Sequence, residues 1–440
     1  MKRKLYDVIS ATLALVMCIG CLSGCTNNVK DSKVSESVNS SSFEASLDES
    51  TSGKITVLGN YDNFEALDAA ILSFNEYYPN AEIVYEKLDD YNNNIAPRVA
   101  EDSGVGLLMI NRYNFIGHDD LLDNLVDISA EDINLDGVDK NAYKGWYIDE
   151  KLFGVPLWYR YYGLVVNKDI VEKENIEIPE NVSELYSVCD KLIEKGYVPV
   201  QQNTELLYAL YIGELMNNIT DNYTEEEISN LMLGTEGSSE KIKPVFESMI
   251  DMLNKGYISM ERNAEYEDGY NDAILKFYEG DTPFIVATSQ TVSGMKKRET
   301  LSEEYKSNPF EYEFIYSPTA EDGAYIYKGG DTGFAINKNC ENYDLAVEFY
   351  RYIYSREVLD EFGDIKGAPS TAVDSDNELY VNLKDSENNN ENIVYAGDID
   401  DPKDIIIDVF TDVCEEIFSG NITTADDAAK RFEELARSVE

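Results

Sequence analysis

The amino-acid sequence predicts an α/β fold in two lobes, and three observations carry that expectation. From Lys54 onward, short apolar runs of strand character alternate with stretches of helical periodicity. The first of them run strand, helix, strand, helix, strand, an order that implies a parallel sheet with helices on its faces. The chain has 440 residues, 43% of them apolar. That is enough to bury a core, but it exceeds the roughly 250 to 300 residues at which one core stops growing and chains divide.

At the N-terminus, Lys2, Arg3 and Lys4 precede an apolar stretch over residues 8–22 that ends in the small residues Ser23 and Gly24. This is the pattern of a secretion signal over residues 1–24, shorter than the about 20 predominantly apolar residues of a spanning helix. Leu22-Ser23-Gly24-Cys25 resembles the bacterial lipobox, in which the cysteine takes a diacylglyceryl group and becomes the mature N-terminus. The other reading of Cys25 is that it merely ends an ordinary cleavage site. Two acyl chains hold a membrane far better than one, so a lipidated Cys25 is a stable anchor. Residues 25–53 are rich in Ser, Asn, Glu and Asp and have no apolar period. They are expected to form a disordered tether with a root-mean-square reach on the order of 30 Å.

In the body, residues 54–58 turn Ile55 and Val57 inward and close at Gly59-Asn60, as a first strand does. Phe64, Leu67, Ile71, Phe74 and Tyr78 recur at three- and four-residue steps and mark a helix that Pro79 stops. Residues 81–88 make a second strand, and 107–110 a third that ends in the polar loop Asn111-Arg112-Tyr113-Asn114. Strand signals return at 164–167, 283–287, 312–316 and 333–337, with helices between. One helix has a clear start: Asn181 as N-cap with Glu184 three residues on. Leu185, Val188, Leu192 and Ile193 supply its apolar face, and Gly196 ends it.

Charge and composition exclude several functions. With 36 Lys+Arg against 85 Asp+Glu, the formal net charge is −49. Such a surface repels phosphate backbones and anionic headgroups, so no nucleic-acid partner is expected and membrane attachment falls to the lipid. Of six cysteines, Cys18 and Cys21 leave with the signal and Cys25 is the lipidation site. Cys189, Cys340 and Cys414 form no CxxC pattern and read as small buried apolar residues. The one histidine, His118, reads as a solvated loop residue. The chain has no P-loop, no Gly-x-Ser-x-Gly and no HExxH. Asp132-x-Asn134-x-Asp136-Gly137 matches the first half of a calcium loop, but position twelve is Tyr143 and not Glu. It reads as a plain acidic turn, and no metal or cofactor is expected.

Several segments, in order from about Lys54 to the C-terminus, resemble one family. Residues 69–83 (AAILSFNEYYPNAEI) look like its first helix and strand entry, and Leu125-Val126-Asp127-Ile128 like an "L-x-D-l" segment. Lys151-Leu152-Phe153-Gly154-Val155-Pro156, followed by Gly163-Leu164-Val165-Val166-Asn167-Lys168-Asp169, is similar to its "K-x-y-G-v-P…N-K-d" pattern. Residues 277–284, 329–336, 346–349, 418–420 and 425–435 match later pieces. The family is that of the extracellular solute-binding proteins, family 1, of bacterial ABC importers, whose best-known relatives bind maltose and other sugars. The sequence departs from it at Val105-Gly106, where Pro-Asp is usual, and at Ser289-Gln290, where sugar binders often place a Trp.

The resemblance implies a two-lobed, periplasmic-binding-protein-like (type II) fold with a hinge and an interlobe ligand cleft. Residues 54–163 with about 333–385 would form one lobe, and 164–332 with about 386–440 the other. It also implies a monomer on the outer face of the cytoplasmic membrane that delivers its solute to ABC permease subunits. Sugars pair hydroxyl arrays with apolar faces, so their sites combine aromatic platforms with polar side chains. The run Trp158-Tyr159-Arg160-Tyr161-Tyr162 offers both, and Trp158, Arg160 and Tyr161 are candidates. The other reading of these aromatics is core or hinge packing. Loops beyond strand ends add Tyr61 and Asp62, and Asn111, Arg112 and Tyr113, whose other reading is ordinary loop polarity. Matching segments add Gln202, Asn203, Gln290, Asp331 and Thr332.

The expected function is capture of a carbohydrate, an oligosaccharide, without catalysis. The alternatives are a secreted carbohydrate-active enzyme with two carboxylates and a surface binding or signalling module unconnected to transport. Arg112 and Arg160 leave a uronate open as ligand, and the acidity of the chain leaves a polyamine open.

Overall fold

The computed structural model describes residues 43–114, 118–131, 133–266, 269–375, 380, 392–399, 401 and 404–439. The expected signal 1–24, Cys25 and Asp132 of the acidic turn lie outside them, as does the side chain of Tyr113. Among the described residues no helix is long and apolar enough to cross a membrane.

Strands β1 (Ser52–Gly59), β2 (Asn80–Lys87) and β3 (Val105–Asn111) form where the alternation predicts. β1 lies parallel to both neighbours, with Ile55 opposite Ile83 and Val57 opposite Leu107. The helix Glu65–Tyr77 covers them with Leu67, Ala70 and Phe74. After the short hairpin β4 (Tyr147–Ile148) and β5 (Lys151–Leu152) comes β6 (Val155–Pro156).

β7 (Tyr159–Asn167) is the long strand of a second sheet. It pairs with β9 (Phe284–Thr288), β10 (Tyr312–Ile315) and β11 (Ile326–Gly330), all antiparallel. β8 (Val200–Gln201) lies at one edge and β13 (Ile393–Tyr395) at the other. β12 (Thr332–Ile336) then returns to the first sheet, whose order is β2-β1-β3-β12-β6. The first sheet is therefore mixed rather than purely parallel. β12 enters it from the far lobe and runs antiparallel to β3, with Thr332 opposite Asn111. Gly333 is required there, since any Cβ would strike the Val155 carbonyl of β6.

Two lobes follow from the cores. One core unites the first sheet with the helices Tyr343–Ile353 and Arg356–Lys366 and includes Trp158. The second sheet has a core on each face. Leu164, Val166 and Val286 point to the helices Ile212–Asn222 and Ile405–Phe418, and Val165, Ile285 and Ala287 point the opposite way. Core membership changes between Trp158 and Tyr159, and Tyr159, Arg160 and Tyr161 pair with β11.

In the helix Val182–Glu194, the Asn181 side chain accepts the Glu184 N–H (3.0 Å) and the Glu184 carboxylate accepts the Glu180 N–H (2.9 Å). Cys189 joins Leu185, Val188 and Leu192 in its buried face. Ile193, at the edge of that stripe, is exposed rather than buried as expected. His118 is half-buried ahead of the helix Asp119–Leu122. Asp136 N–H bonds the Asn134 side chain within its turn (2.8 Å). Cys189, Cys340 and Cys414 are buried and form no disulfide.

The tether expected through residue 53 is docked from Phe43 on. Phe43 stands edge-on to Tyr77 and Tyr352, with ring centroids 5.2 and 5.0 Å away. Ser46 donates through both N–H and hydroxyl to the Glu348 carboxylate, each at 2.6 Å. Tyr78 and Arg351 donate to the same group. A buried acid with four donors and a lone aromatic set among tyrosines outweigh the polar composition of the segment.

Candidate functional site

The two chain crossings between the lobes run side by side. Leu157 N–H donates to the Thr332 carbonyl (2.7 Å) and Asp331 N–H to that of Trp158 (3.0 Å). In β7 and β11, Arg160 faces Gly329. Gly330 has no room for a side chain, because a Cβ would collide with the Ala142 carbonyl and the Pro156 ring. A cleft open to solvent lies against this crossing.

Two guanidinium–carboxylate pairs form its polar lining. Arg160 donates to Asp331 Oδ1 at 2.6 Å, and Gln290 Nε2 donates to Asp331 Oδ2 at 2.7 Å. Asp331 is thus held through both oxygens while nearly fully buried. Arg112 pairs with Asp404 at 2.9 Å and donates a second bond to the Asp401 carbonyl. The Asp401 carboxylate in turn accepts the N–H groups of Ile405 and Ile406 (3.0 and 2.9 Å), which fixes the start of the helix Ile405–Phe418. Burial pushes the Asp404 carboxyl up to about 6; Arg112 pulls it down and Asp401 pushes it further up.

Aromatic side chains supply the rest. Trp146, Tyr162 and Tyr327 line the cleft with Ile407 and Ala396. The Tyr162 and Tyr327 rings are 6.1 Å apart, and Trp146 Nε1 donates to the Gly330 carbonyl at 3.4 Å. Tyr61 stands beside Asp331. Its hydroxyl is pushed up to about 12, first by burial and then by the Asp331 charge, against the pull of the Thr332 hydroxyl and Arg160. Lys366 Nζ lies 4.3 Å from the centre of the Tyr61 ring.

Of the residues singled out in the sequence, Tyr61, Asn111, Arg112, Arg160, Gln290, Asp331 and Thr332 come together here. The others lie elsewhere. Asp62 is exposed and paired with Lys87 at 2.6 Å. Trp158 is 1% exposed, inside the first core against Phe64. Tyr161 lies on the opposite face of β7, stacked on Tyr159 at 6.0 Å and edge-on to Tyr380. Gln202 is fully buried, donating to the Val286 carbonyl at 2.5 Å and accepting the Asn203 N–H. Asn203 is buried beside it.

Trp146, Tyr162, Tyr327 and Asp404 were not singled out in the sequence. For Tyr162 a signal existed: in a strand, residues two apart share a face, so Arg160 at the cleft brings Tyr162 with it and sends Tyr161 away. Tyr327 is on a strand that no apolar run announced, and Asp404 sits in an acidic stretch indistinguishable from solvated surface.

The lining presents hydrogen-bond donors and acceptors in matched pairs beside aromatic faces, an arrangement suited to holding a polar solute that also has apolar faces.

Known structures share this architecture. The solute-binding protein RafE in complex with raffinose is 16% identical, with a TM-score of 0.65, over 88% of this chain and 100% of that one. A family 1 extracellular solute-binding protein from Bifidobacterium longum subsp. infantis is 20% identical (TM-score 0.65; 88% and 100%). A Bacillus licheniformis sugar transporter in complex with stachyose is 16% identical (TM-score 0.61; 87% and 98%). No curated protein sequence matches the chain significantly. At these identities the structures establish the two-lobed fold. A family model described as bacterial extracellular solute-binding protein matches residues 59–359, and the chain belongs to that family.

Proposed function

We propose that this protein captures a neutral oligosaccharide in the interlobe cleft and hands it, unaltered, to an ABC permease. The observation that carries the reading is charge balance: each cleft arginine, Arg112 and Arg160, is matched by an aspartate, Asp404 and Asp331. A site meant for a uronate keeps a guanidinium for the ligand's carboxylate, and one meant for a polyamine keeps unmatched acids. Here paired charges and three aromatic faces fit hydroxyls and C–H surfaces. RafE and the Bacillus licheniformis protein, solved with raffinose and stachyose, lend the sugar class support. The same reading takes Cys25 as the lipid anchor that keeps the body at the outer face of the membrane, as a monomer.

The test is calorimetric titration of the purified chain with raffinose, stachyose, maltotriose, galacturonate and spermidine. Micromolar binding of a neutral sugar alone supports the proposal. Preference for galacturonate or spermidine refutes the neutral class, and release of shortened sugars refutes binding without catalysis.

A further inference from the structure

Lys366 stands where the lobes meet, and the fold makes no hydrogen bond with its ammonium. It is the last residue of the helix Arg356–Lys366, which Gly367 ends in the left-handed region at φ 67°. Carbonyls in a helix's last turn have no partner inside the helix. That of Lys366 accepts the Ser293 hydroxyl, which comes from the other lobe. The backbone of the residue is thereby fixed at the seam, and its side chain turns to Tyr61, the neighbour of Asp331 in the cleft.

Nζ lies 4.3 Å from the centre of the Tyr61 ring and 5.7 Å from that of Trp158, both within the range of a cation–π contact. Tyr61 is itself held in place. The Tyr85 hydroxyl accepts its N–H and donates to its carbonyl, each at 2.9 Å, and Phe64 meets its ring edge-on at 5.2 Å. Among the described residues no oxygen bonds the Lys366 ammonium. The charges that act on it are Lys297 from the other lobe, then Asp331 and Glu65. Asp331 is occupied, with one oxygen taken by Arg160 and the other by Gln290.

An ammonium has three N–H donors and no acceptor. Aromatic faces offset its charge without using those donors, so the group wants oxygen acceptors more than a counter-ion. A lysine that only solvates a helix end extends its flexible stem into bulk water, and this one lies against two rings instead. Sugar hydroxyls are acceptors of the right kind, and two on adjacent carbons can share one ammonium. On the reading that the cleft takes a neutral sugar, we propose that Lys366 is a further solute-contacting residue, whose ammonium, held against Tyr61, donates to neighbouring hydroxyl oxygens of that sugar.

The test compares the full chain with its Lys366→Met and Lys366→Arg variants by calorimetric titration with raffinose, stachyose, maltotriose and galacturonate. Lysine acetylation by N-hydroxysuccinimidyl acetate, read by mass spectrometry, is followed in parallel. Lys366→Met keeps an apolar stem on Tyr61 and is expected to fold with an unchanged unfolding midpoint. It should weaken the neutral sugar that the wild type binds by ~10-fold or more, and Lys366→Arg, which keeps donors, should weaken it less. The same sugar at saturation should slow acetylation of Lys366 several-fold and leave unchanged that of Lys54, which is exposed and paired with Glu82. Equal affinity in the Met variant, or acetylation of Lys366 indifferent to a sugar that binds, overturns the role of Lys366 and leaves the sugar reading standing. A wild-type preference for galacturonate that Lys366→Met abolishes makes Lys366 a carboxylate partner and overturns both. Binding of none of the four overturns the sugar reading and the contact with it.

Discussion

Arg112 and Asp404 meet at 2.9 Å although they belong to different lobes, one following β3 and the other immediately before the helix Ile405–Phe418. Their side chains are 17% and 12% exposed, so the contact is partly desolvated and stronger than a surface pair. Lys144 and Asp398 pair nearby, and Gly397 approaches Gly145 so closely that a Cβ on it would collide with the Gly145 backbone. Elsewhere between the lobes the Ser293 hydroxyl donates to the Lys366 carbonyl. The two lobes are thus bridged by the chain's own side chains, and of the bridging carboxyls Asp404 is the one that burial raises towards neutral pH.

Lobe closure should therefore depend on pH. With its carboxyl at about 6, Asp404 is ionised and paired at pH 7.5 and largely neutral at pH 5. The solute-free chain is expected to open on acidification, read as an increased radius of gyration by small-angle scattering. Asp404→Asn should be open at both pH values. Global stability moves the other way. A folded carboxyl raised above its unfolded value favours folding in the protonated form, a contribution full below pH about 4 and lost as pH rises through about 6. Its size is on the order of 3 kcal/mol. Identical scattering at pH 5 and 7.5 would show that Asp404 does not govern closure.

At the other pair, Asp331→Ala should weaken sugar binding 10- to 100-fold, about 1.4 to 3 kcal/mol. It removes the acceptor that positions Arg160 and Gln290 together. Arg160→Ala should do the same. The double variant should lose less than the sum, since both act on one network. Strictly additive losses in calorimetry would mean that the two residues contact the solute independently.

Trp158→Ala should act on stability. The indole is enclosed with Phe64 in the first core, so truncation is expected to cost about 3 to 5 kcal/mol in urea unfolding. Affinity of the folded fraction should change little. A variant as stable as the parent but unable to bind sugar would place Trp158 in the site after all.

The contrast between Trp158 and Arg160 shows what the sequence could reveal. Strands, helices and the Asn181 cap were legible because period and capping chemistry are local. Asn111 and Arg112 were legible as polar residues at a strand end, and Asp331 only through the segment that resembles the family. The aromatic run 158–162 was misleading because composition does not say which residue of a strand faces which way. Alternation from Arg160 does, and it selects Tyr162. The pairing of Arg112 with Asp404 joins residues far apart in sequence through a helix start, and no local pattern encodes it. Phe43 was illegible for a similar reason, being one aromatic in a polar run whose partners Tyr77 and Tyr352 lie far along the chain.

That docked segment yields the last prediction. Glu348 is 1% exposed; burial opposes its ionisation, but Ser46, Tyr78 and Arg351 together hold its carboxyl below the usual range. A folded carboxyl lowered in this way stabilises the fold above its unfolded value and loses that contribution as pH falls through its folded one. Glu348→Gln should therefore lower stability at pH 7 by roughly 1 to 3 kcal/mol and remove part of the acid sensitivity. Ser46→Ala should leave the core intact but speed hydrogen exchange at the Ser46 and Leu47 amides, which bond Glu348 and Tyr78 (2.6 and 3.2 Å). If the Phe43 ring pins this segment against Tyr77 and Tyr352, Phe43→Ala should free residues 43–51 to a protease that spares the parent chain. Equal cleavage of both chains would show that the segment is held by Glu348 alone.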